Sequence, residues 1–166
     1  NVLSNFSTEG SYSLMNSFLG FIPGSIGETS VLAVLIGASI LLMTGLGSWR
    51  IMVSALLGGF FMASIFKLWG ANPFMELNPI HQLCIGGFMF AIVFMATDPV
   101  SAAQTNTGKL IYGFLCGFLG IMIRVFNPAY PEGIMLAILF MNVMAPLIDH
   151  YVVEASIKRR MSRINI

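Results

Sequence analysis

Apolar residues run almost continuously along this chain and are interrupted at a few places by short polar, glycine-rich or proline-containing segments. A helix that crosses a bilayer needs about 20 mostly apolar residues. The runs are continuous and do not alternate with polar residues, which indicates helices and not the strands of a barrel. With their flanks included, the apolar runs predict five membrane spans, at residues 29–46, 49–69, 80–97, 110–126 and 133–151.

The sparse charge of the chain agrees with a membrane protein. Hydrophobic residues make up 57% of the sequence and charged residues 9%, against about 25% charged residues in an ordinary soluble domain. So few charges cannot cover the surface of a water-soluble protein, and a net charge of +1 offers no basic field to a nucleic acid. We therefore predict an all-α integral membrane protein that is surrounded by lipid and has no nucleic-acid partner.

Lysine and arginine residues are distributed unevenly between the two sides that five spans define. Six of them lie on the side of the C-terminus, and only Lys67 and Arg124 lie on the other side. Because basic residues favour the cytoplasm, the C-terminus is predicted to be cytoplasmic. The expected organisation is an outer loop over 1–28 with a short interfacial or re-entrant helix, a five-helix membrane domain over 29–151 and a cytoplasmic basic tail over 152–166. Five spans are also what one half of an inverted-repeat protein of about ten helices contributes.

Two aspartates at the ends of predicted spans are the first candidates for function, because ionisable groups near the hydrocarbon are costly. Asp98 follows the third span and precedes Pro99, so it is either a helix-end cap or a carboxylate at the mouth of a cation path. Asp149 lies near the end of the last span, three residues after Pro146, which frees the carbonyl of Asn142 from the helix. Carboxylate and carbonyl oxygens are ligands of hard cations, which favours a cation path over an interfacial carboxylate at Asp149.

The start of the first predicted span is the second candidate region. Open backbone donors at a helix start can bind a phosphate or another anionic group, and the same residues can equally serve as helix caps. The two cysteines lie inside apolar runs without a Cys/His cluster, so no metal site is expected beyond the transient passage of a cation. The candidate binding residues at this helix start are Ser25, Gly27, Glu28, Thr29 and Ser30.

Four strings of the sequence closely resemble the B subunit of the sodium-pumping NADH:quinone reductase, and the similarity covers essentially all 166 residues in order. The D subunit of the related Rnf complex shares the residues of 23–30 but is less similar around 124–128 and in the basic tail. The strings are Phe21-Ile-Pro-Gly-Ser-Ile-Gly-Glu-Thr-Ser30, Phe94-Met-Ala-Thr-Asp-Pro-Val-Ser-Ala102, Arg124-Val-Phe-Asn-Pro-Ala-Tyr-Pro-Glu-Gly-Ile-Met-Leu-Ala-Ile-Leu-Phe140 and Ala145-Pro-Leu-Ile-Asp-His150.

The resemblance implies a subunit of a respiratory enzyme of the bacterial inner membrane. That multi-subunit complex passes electrons from NADH through flavins and iron–sulfur centres to a quinone such as ubiquinone, and it drives sodium outward. The family subunit has about ten spans, so this chain resembles its C-terminal half. The family carries FMN on a threonine of a Ser-Gly-Ala-Thr motif. This motif does not occur here, which places the attachment threonine outside this chain. Riboflavin is a further candidate cofactor.

The resemblance also implies roles for particular residues. Asp98 and Asp149 occupy positions where the family has acidic residues implicated in sodium uptake. Phe90 and Phe94 match aromatic positions of the family, and their spacing places them on one helix face, where they would form an apolar constriction above Asp98. The helix start at 25–30 becomes the candidate for contacts with the phosphate or ribityl chain of the flavin.

Three other functions remain open at this point. An Rnf-type ferredoxin:NAD ion-pump subunit would share much of the resemblance. A channel or carrier half for a small solute, without redox chemistry, needs the same buried polar groups and repeats. A purely structural membrane subunit would need none of the candidate sites.

Overall fold

The chain is all helical in the computed structural model, which describes residues 14–21, 27–70, 75, 78–127 and 133–164. No strand occurs within those residues, so the predicted all-α class is confirmed. The helices are α1 (Leu14–Leu19), α2 (Val31–Met43), α3 (Trp49–Trp69), α4 (Pro79–Cys84), α5 (Phe88–Phe90, continued by a π-helical turn over Ala91–Met95), α6 (Asn106–Phe126) and α7 (Gly133–Ile164).

Three of the described helices, α3, α6 and α7, are long and apolar enough to cross a membrane, which makes the chain a multi-pass membrane protein. They correspond to the second, fourth and fifth predicted spans. The first predicted span contains α2, whose 13 residues extend only about 20 Å at about 1.5 Å per residue, short of a hydrocarbon core of about 30 Å. The helix α7 continues past the end of its predicted span, through the residues predicted as the basic tail, to Ile164.

Short polar side chains determine where several helices begin. The Ser30 hydroxyl accepts a hydrogen bond from the backbone N–H of Ala33 at 3.3 Å and begins α2. The Thr105 hydroxyl accepts from the N–H of Gly108 at 3.0 Å and begins α6. These caps satisfy backbone donors that the first helical turn leaves without an intrahelical partner.

Glycines allow α3 and α6 to pack with their backbones in contact. A Cβ atom at Gly58 would collide with the carbonyl oxygen of Phe114, and one at Gly117 would collide with that of Ala55. A Cβ at Gly113 would likewise meet the hydroxyl of Ser54. Small residues at an interface between membrane helices permit this close approach of the two backbones.

The third predicted span, 80–97, is not one regular helix, and the prediction of a continuous helix there was wrong. Helix α4 ends at Cys84, Ile85 is extended at φ −88° and ψ 138°, and Gly86 adopts φ +67°. Helical structure resumes at Phe88, so the break covers three residues. Glycine adopts the left-handed region at little cost, which explains why the break falls at this position.

Candidate functional site

Phe90 and Phe94 lie side by side after the break. Their ring centroids are 5.0 Å apart with an interplanar angle of 41°, as the four-residue spacing predicts. Phe90 ends α5 and Phe94 lies in the π-helical turn that follows, in which the N–H of Ala96 donates to the carbonyl of Ala91 at 2.8 Å. Such turns are rare and occur often at functional sites. The ring of Phe94 lies against Gly37 of α2, where a Cβ atom would come within 2.6 Å of Cζ.

A cavity of about 240 Å³ lies beside Phe94 and borders Asp98. One wall is the C-terminal end of α2 and the turn after it, and the other is the end of the third predicted span. A water molecule takes about 30 Å³ in the liquid, so the cavity has room for several waters or a hydrated cation. Its lining includes Leu41, Leu46, Gly47, Phe94, Thr97 and Asp98.

The Asp98 carboxylate accepts hydrogen bonds from its own turn. The hydroxyl and the N–H of Ser101 donate to it at 2.6 Å and 3.1 Å, and the N–H of Val100 donates at 3.4 Å. The Ser101 hydroxyl bond, together with these backbone donors, holds the pKa of Asp98 below its ordinary value, so the group is ionised at neutral pH. The carboxylate thus closes the turn that follows the third predicted span, and it also borders the cavity.

The Asp149 carboxylate accepts hydrogen bonds from a distant part of the chain. The backbone N–H groups of Gln104 and Thr105 donate to it at 2.6 Å and 3.1 Å, and the hydroxyl of Thr105 donates at 2.5 Å. The side-chain amide of Gln104 in turn donates to the carbonyls of Pro99 and Ala102 at 2.7 Å and 3.0 Å. Asp149 of α7 thereby fastens the end of the 98–105 loop, and Asp98 begins the same loop.

Gly108 is a residue of this site that the sequence analysis missed. A Cβ atom at Gly108 would collide with Oδ1 of Asp149 and with the hydroxyl of Thr105. The sequence indicates this role only through a glycine in the first turn of α6. It does not show that the Asp149 side chain occupies the place of a Cβ atom.

The side chain of Asn142 is engaged within the bundle. Its Oδ1 accepts a hydrogen bond from the hydroxyl of Tyr112 at 2.5 Å, between α6 and α7. Helix α7 continues through Pro146, whose missing N–H leaves the Asn142 carbonyl without its usual helical donor. The side-chain oxygen of Asn142 is therefore bound to Tyr112, whereas the group named in the sequence analysis is the backbone carbonyl of the same residue.

The helix start at 27–30 serves several roles, and Ser25 lies outside the described residues. Ser30 is the cap of α2. Gly27 adopts φ +92°, and a Cβ atom there would meet no described atom within 4 Å. Thr29 is half-buried and precedes the cap. The carboxylate of Glu28 lies against Gly87 at the break in the third predicted span.

Residues 14–21, 27–70, 75, 78–127 and 133–164 contain no group of three or more His, Cys, Asp and Glu residues placed to hold a metal ion. Of the two carboxylates of the candidate site, Asp98 borders the cavity and Asp149 accepts the hydrogen bonds of the 98–105 loop.

Comparison with known proteins supports the resemblance found in the sequence. The sequence profile of the NQR2, RnfD, RnfE family matches residues 1–158. The B subunit of the Na(+)-translocating NADH-quinone reductase of Chromohalobacter salexigens is 56% identical over 154 residues, which are 92% of this chain and 38% of that protein.

The same subunit of Azotobacter vinelandii is 54% identical over 153 residues, 91% of this chain and 38% of the relative. That of Pseudomonas aeruginosa is 52% identical over 151 residues, 90% of this chain and 38% of the relative. The chain thus spans less than half the length of these relatives. By the extent of the profile match and by these identities, the chain belongs to the NQR2, RnfD, RnfE family.

Proposed function

We propose that this chain is the C-terminal part of the B subunit of a sodium-translocating NADH:quinone reductase. The observation that carries this proposal is the 56% identity to that subunit over 92% of the chain. The three relatives compared are all the B subunit of this enzyme, which favours it over the Rnf-type ferredoxin:NAD pump of the same family. The whole complex transfers electrons from NADH to quinone in the bacterial inner membrane and exports sodium, with other subunits as partners.

The sodium path of this chain runs past Asp98 and the two phenylalanines. The cavity between α2 and Asp98 receives a hydrated cation from the cytoplasm. The Asp98 carboxylate attracts the cation, and the rings of Phe90 and Phe94 form the apolar constriction above it. Apolar constrictions close a path by excluding water, and a small movement of the rings opens it. Asp149 contributes by fixing the loop that presents Asp98. When that loop moves away, the Asp149 carboxylate becomes a ligand of the cation.

The membrane topology of the proposal has five spans, with α2 and its flanks as the first and the interrupted 80–97 segment as the third. The C-terminus and the 98–105 loop are cytoplasmic, the loop at 1–28 is external, and the tail at 152–166 is cytoplasmic. Discontinuous helices are typical of inverted-repeat transporters, which supports the proposal that this chain is one half of an inverted-repeat protein. Chain segments that the broken helices leave in the membrane need protein neighbours for their backbone groups.

Flavin binding is proposed for the helix start at 25–30. A Cβ atom at Gly27 would meet no atom of the described residues within 4 Å, which fits a ligand beside the backbone there. Glu28 is negatively charged and therefore suits the ribityl hydroxyls better than the phosphate of FMN. Ser30 is committed to its cap. FMN, with riboflavin as the further candidate, supplies electron transfer when bound, and quinone is the final acceptor.

The sodium proposal is tested by comparing Asp98→Asn with Ser101→Ala in the assembled complex. Both variants weaken the hydrogen bonds of the turn, but only Asp98→Asn removes the negative charge. We expect Asp98→Asn alone to raise the sodium concentration that gives half-maximal quinone reduction, with flavin content unchanged. Equal effects of the two variants, or no effect of either, would show that Asp98 is only a cap.

The visible spectrum of the full-length subunit separates the redox proposal from a channel or a structural subunit. A protein-bound flavin absorbs near the blue end of the spectrum and changes on reduction, whereas the other two functions need no flavin. A colourless, fully inserted subunit would contradict the redox proposal.

A further inference from the structure

Two oppositely charged side chains flank the break between α4 and α5. Arg124 reaches the break from α6, and a Cβ atom at Gly86 would lie 3.2 Å from its Nη2. Glu28 reaches it from the residues before α2, and a Cβ atom at Gly87 would collide with its Oε2. The Glu28 carboxylate also interacts electrostatically with the guanidinium of Arg124. The break over 85–87 therefore contains two adjacent glycines, with one charged side chain beside each of them.

Arg124 is placed to stabilise the C-terminal end of α4. Its Nη1 donates to the carbonyl oxygen of Gln82 at 2.8 Å, which is one of the last carbonyls of that helix. Its Nη2 is buried, and the guanidinium lies 5.8 Å from the ring centroid of Phe88, within the range of a cation–π interaction. The C-terminal end of a helix carries a partial negative charge, so a buried cation is favourable there.

Glu28 is placed on the other side of the break. Its carboxylate lies against Gly87, the residue that precedes helical position Phe88. Backbone N–H groups at the beginning of a helical segment lack intrahelical acceptors and carry a partial positive charge. The signs of the two side chains thus match the two ends of the interrupted helix, and they also attract each other.

We propose that Glu28 and Arg124 hold the break in the third span as a polarised pair, with Arg124 bound to the end of α4 and Glu28 beside the start of the 88–95 segment. An interrupted helix inside a membrane protein leaves backbone groups that must be satisfied by protein neighbours. The pair supplies charged partners to both ends and fixes the direction in which the 88–95 segment leaves the break. That this direction positions Phe90 and Phe94 for a sodium path rests on the proposed function. The pair of Glu28 and Arg124 does not rest on it.

The order of the charges distinguishes this proposal from an ordinary ion pair. An ordinary pair keeps its attraction when its members are exchanged. A polarised pair does not, because Glu28→Arg with Arg124→Glu would place a carboxylate beside the carbonyl of Gln82 and a cation beside backbone N–H groups. Exchange would thus create two repulsions with the backbone while preserving the attraction between the side chains.

The test compares Glu28→Gln, Arg124→Gln and the exchanged double variant in the full-length subunit within the assembled complex. Lys67→Gln is the matched control, since Lys67 is an exposed cation near the end of α3. We expect both single variants to lower the thermal unfolding midpoint, the double variant to stay at least as low as the worse single variant, and the control to match wild type. Recovery of the midpoint in the double variant, or wild-type midpoints in both single variants, would overturn the proposal.

A distance measurement keeps the proposal testable if these variants do not assemble. Spin labels at Ile80 and Met95, which are both exposed, report the angle between α4 and the 88–95 segment. In the milder variants Arg124→Lys and Glu28→Asp, we expect a broader distance distribution for this label pair. Labels at Leu57 on α3 and Ile111 on α6 are the control, and we expect their distance distribution to stay unchanged. An unchanged distribution between Ile80 and Met95 would contradict the proposal. A broadened one together with a normal sodium response of Asp98→Asn would leave the pair standing and refute the sodium path.

Discussion

At the scale of single residues, the two carboxylates of the candidate site differ in where their hydrogen-bond donors come from. The donors to Asp98 lie two and three residues away in the same turn. The donors to Asp149 lie 44 and 45 residues away, in the loop before α6. Removing the Asp98 charge therefore disturbs a local turn, whereas removing that of Asp149 weakens the attachment of the 98–105 loop to α7.

The first prediction concerns Asp149→Asn in the assembled complex. Asparagine keeps the size of the side chain and part of its acceptor capacity, but it removes the charge. Loss of one charged partner costs about 1–3 kcal/mol, which corresponds to a roughly five- to hundred-fold higher sodium concentration at half-maximal quinone reduction. The measurement is the sodium dependence of NADH-driven quinone reduction at normal flavin content.

Thr105→Val is the control for this variant, because it removes one donor to Asp149, together with the cap of α6, and keeps the charge. A similar shift in both variants would mean that the loop attachment matters and the charge does not. An unchanged sodium dependence in Asp149→Asn would mean that Asp149 only attaches the 98–105 loop to α7.

The second prediction concerns the open space beside Gly27. Valine at this position should slow flavin reduction, because its side chain occupies the space where a flavin would approach. Gly45→Val is the matched control: Gly45 also has a positive φ, of 72° against 92°, and also faces open space among the described residues. Both variants carry backbone strain, so only the excess effect at Gly27 reports a bound flavin. Stopped-flow flavin reduction that is equally slow in both variants would contradict flavin binding at this helix start.

At the scale of the elements, long apolar runs determine the helices that the sequence predicts well. The predicted 49–69 span has the same limits as α3. Helix α6 ends at Phe126, where the predicted 110–126 span ends, and α7 begins at Gly133, where the predicted 133–151 span begins. The break at 85–87 was not predicted, because the apolar run over 80–97 indicates one continuous helix. Its charged partners come from residues far apart in the chain, Glu28 and Arg124, and hydrophobic periodicity in one sequence cannot show that such residues meet.

The candidate site was predictable to a similar degree. The residue types at 98 and 149 indicate oxygen ligands, and the spacing of Phe90 and Phe94 indicates a shared face. The attachment of Asp149 to the 98–105 loop was not predictable, because backbone N–H groups have no signature in the sequence. The need for Gly108 follows from that attachment and was hidden for the same reason.

The third prediction tests the contact between α3 and α6. Gly117→Leu should destabilise the subunit by more than the roughly 1–3 kcal/mol typical of overpacking, because the new side chain meets the backbone of Ala55. The measurement is the thermal midpoint of the purified subunit. Gly45→Leu adds the same volume where no described atom lies within 4 Å of a Cβ, so it should cost less, even with its strained backbone. A smaller loss at Gly117 than at Gly45 would mean that the two helices separate easily.

At the scale of the whole molecule, the charged features lie at opposite ends of the long helices. Asp149 and the 98–105 loop meet at the beginning of α6, where Arg50 of α3 also donates a hydrogen bond to Asn106. Arg124 and the helix break lie near the other end of α6, a helix of 21 residues or about 32 Å. The 88–97 segment runs from the break to the loop, so it connects the two ends and carries the phenylalanines between them.

The last prediction follows from this separation and concerns orientation. In a variant without Cys84 and Cys116, a cysteine replacing the exposed Thr107 should react with a membrane-impermeant maleimide only from the cytoplasmic side. A cysteine replacing Lys67, near the other end of the bundle, should react only from the outside. Thr107 is preferable to Asn106, whose side chain accepts the bond from Arg50. The charge bias requires this arrangement, and sodium uptake from the cytoplasm requires it too, because Asp98 begins the loop that leads to Thr107. Labelling of the Thr107 position in intact cells would show the opposite orientation. The proposed entrance of the sodium path would then face the outside and not the cytoplasm.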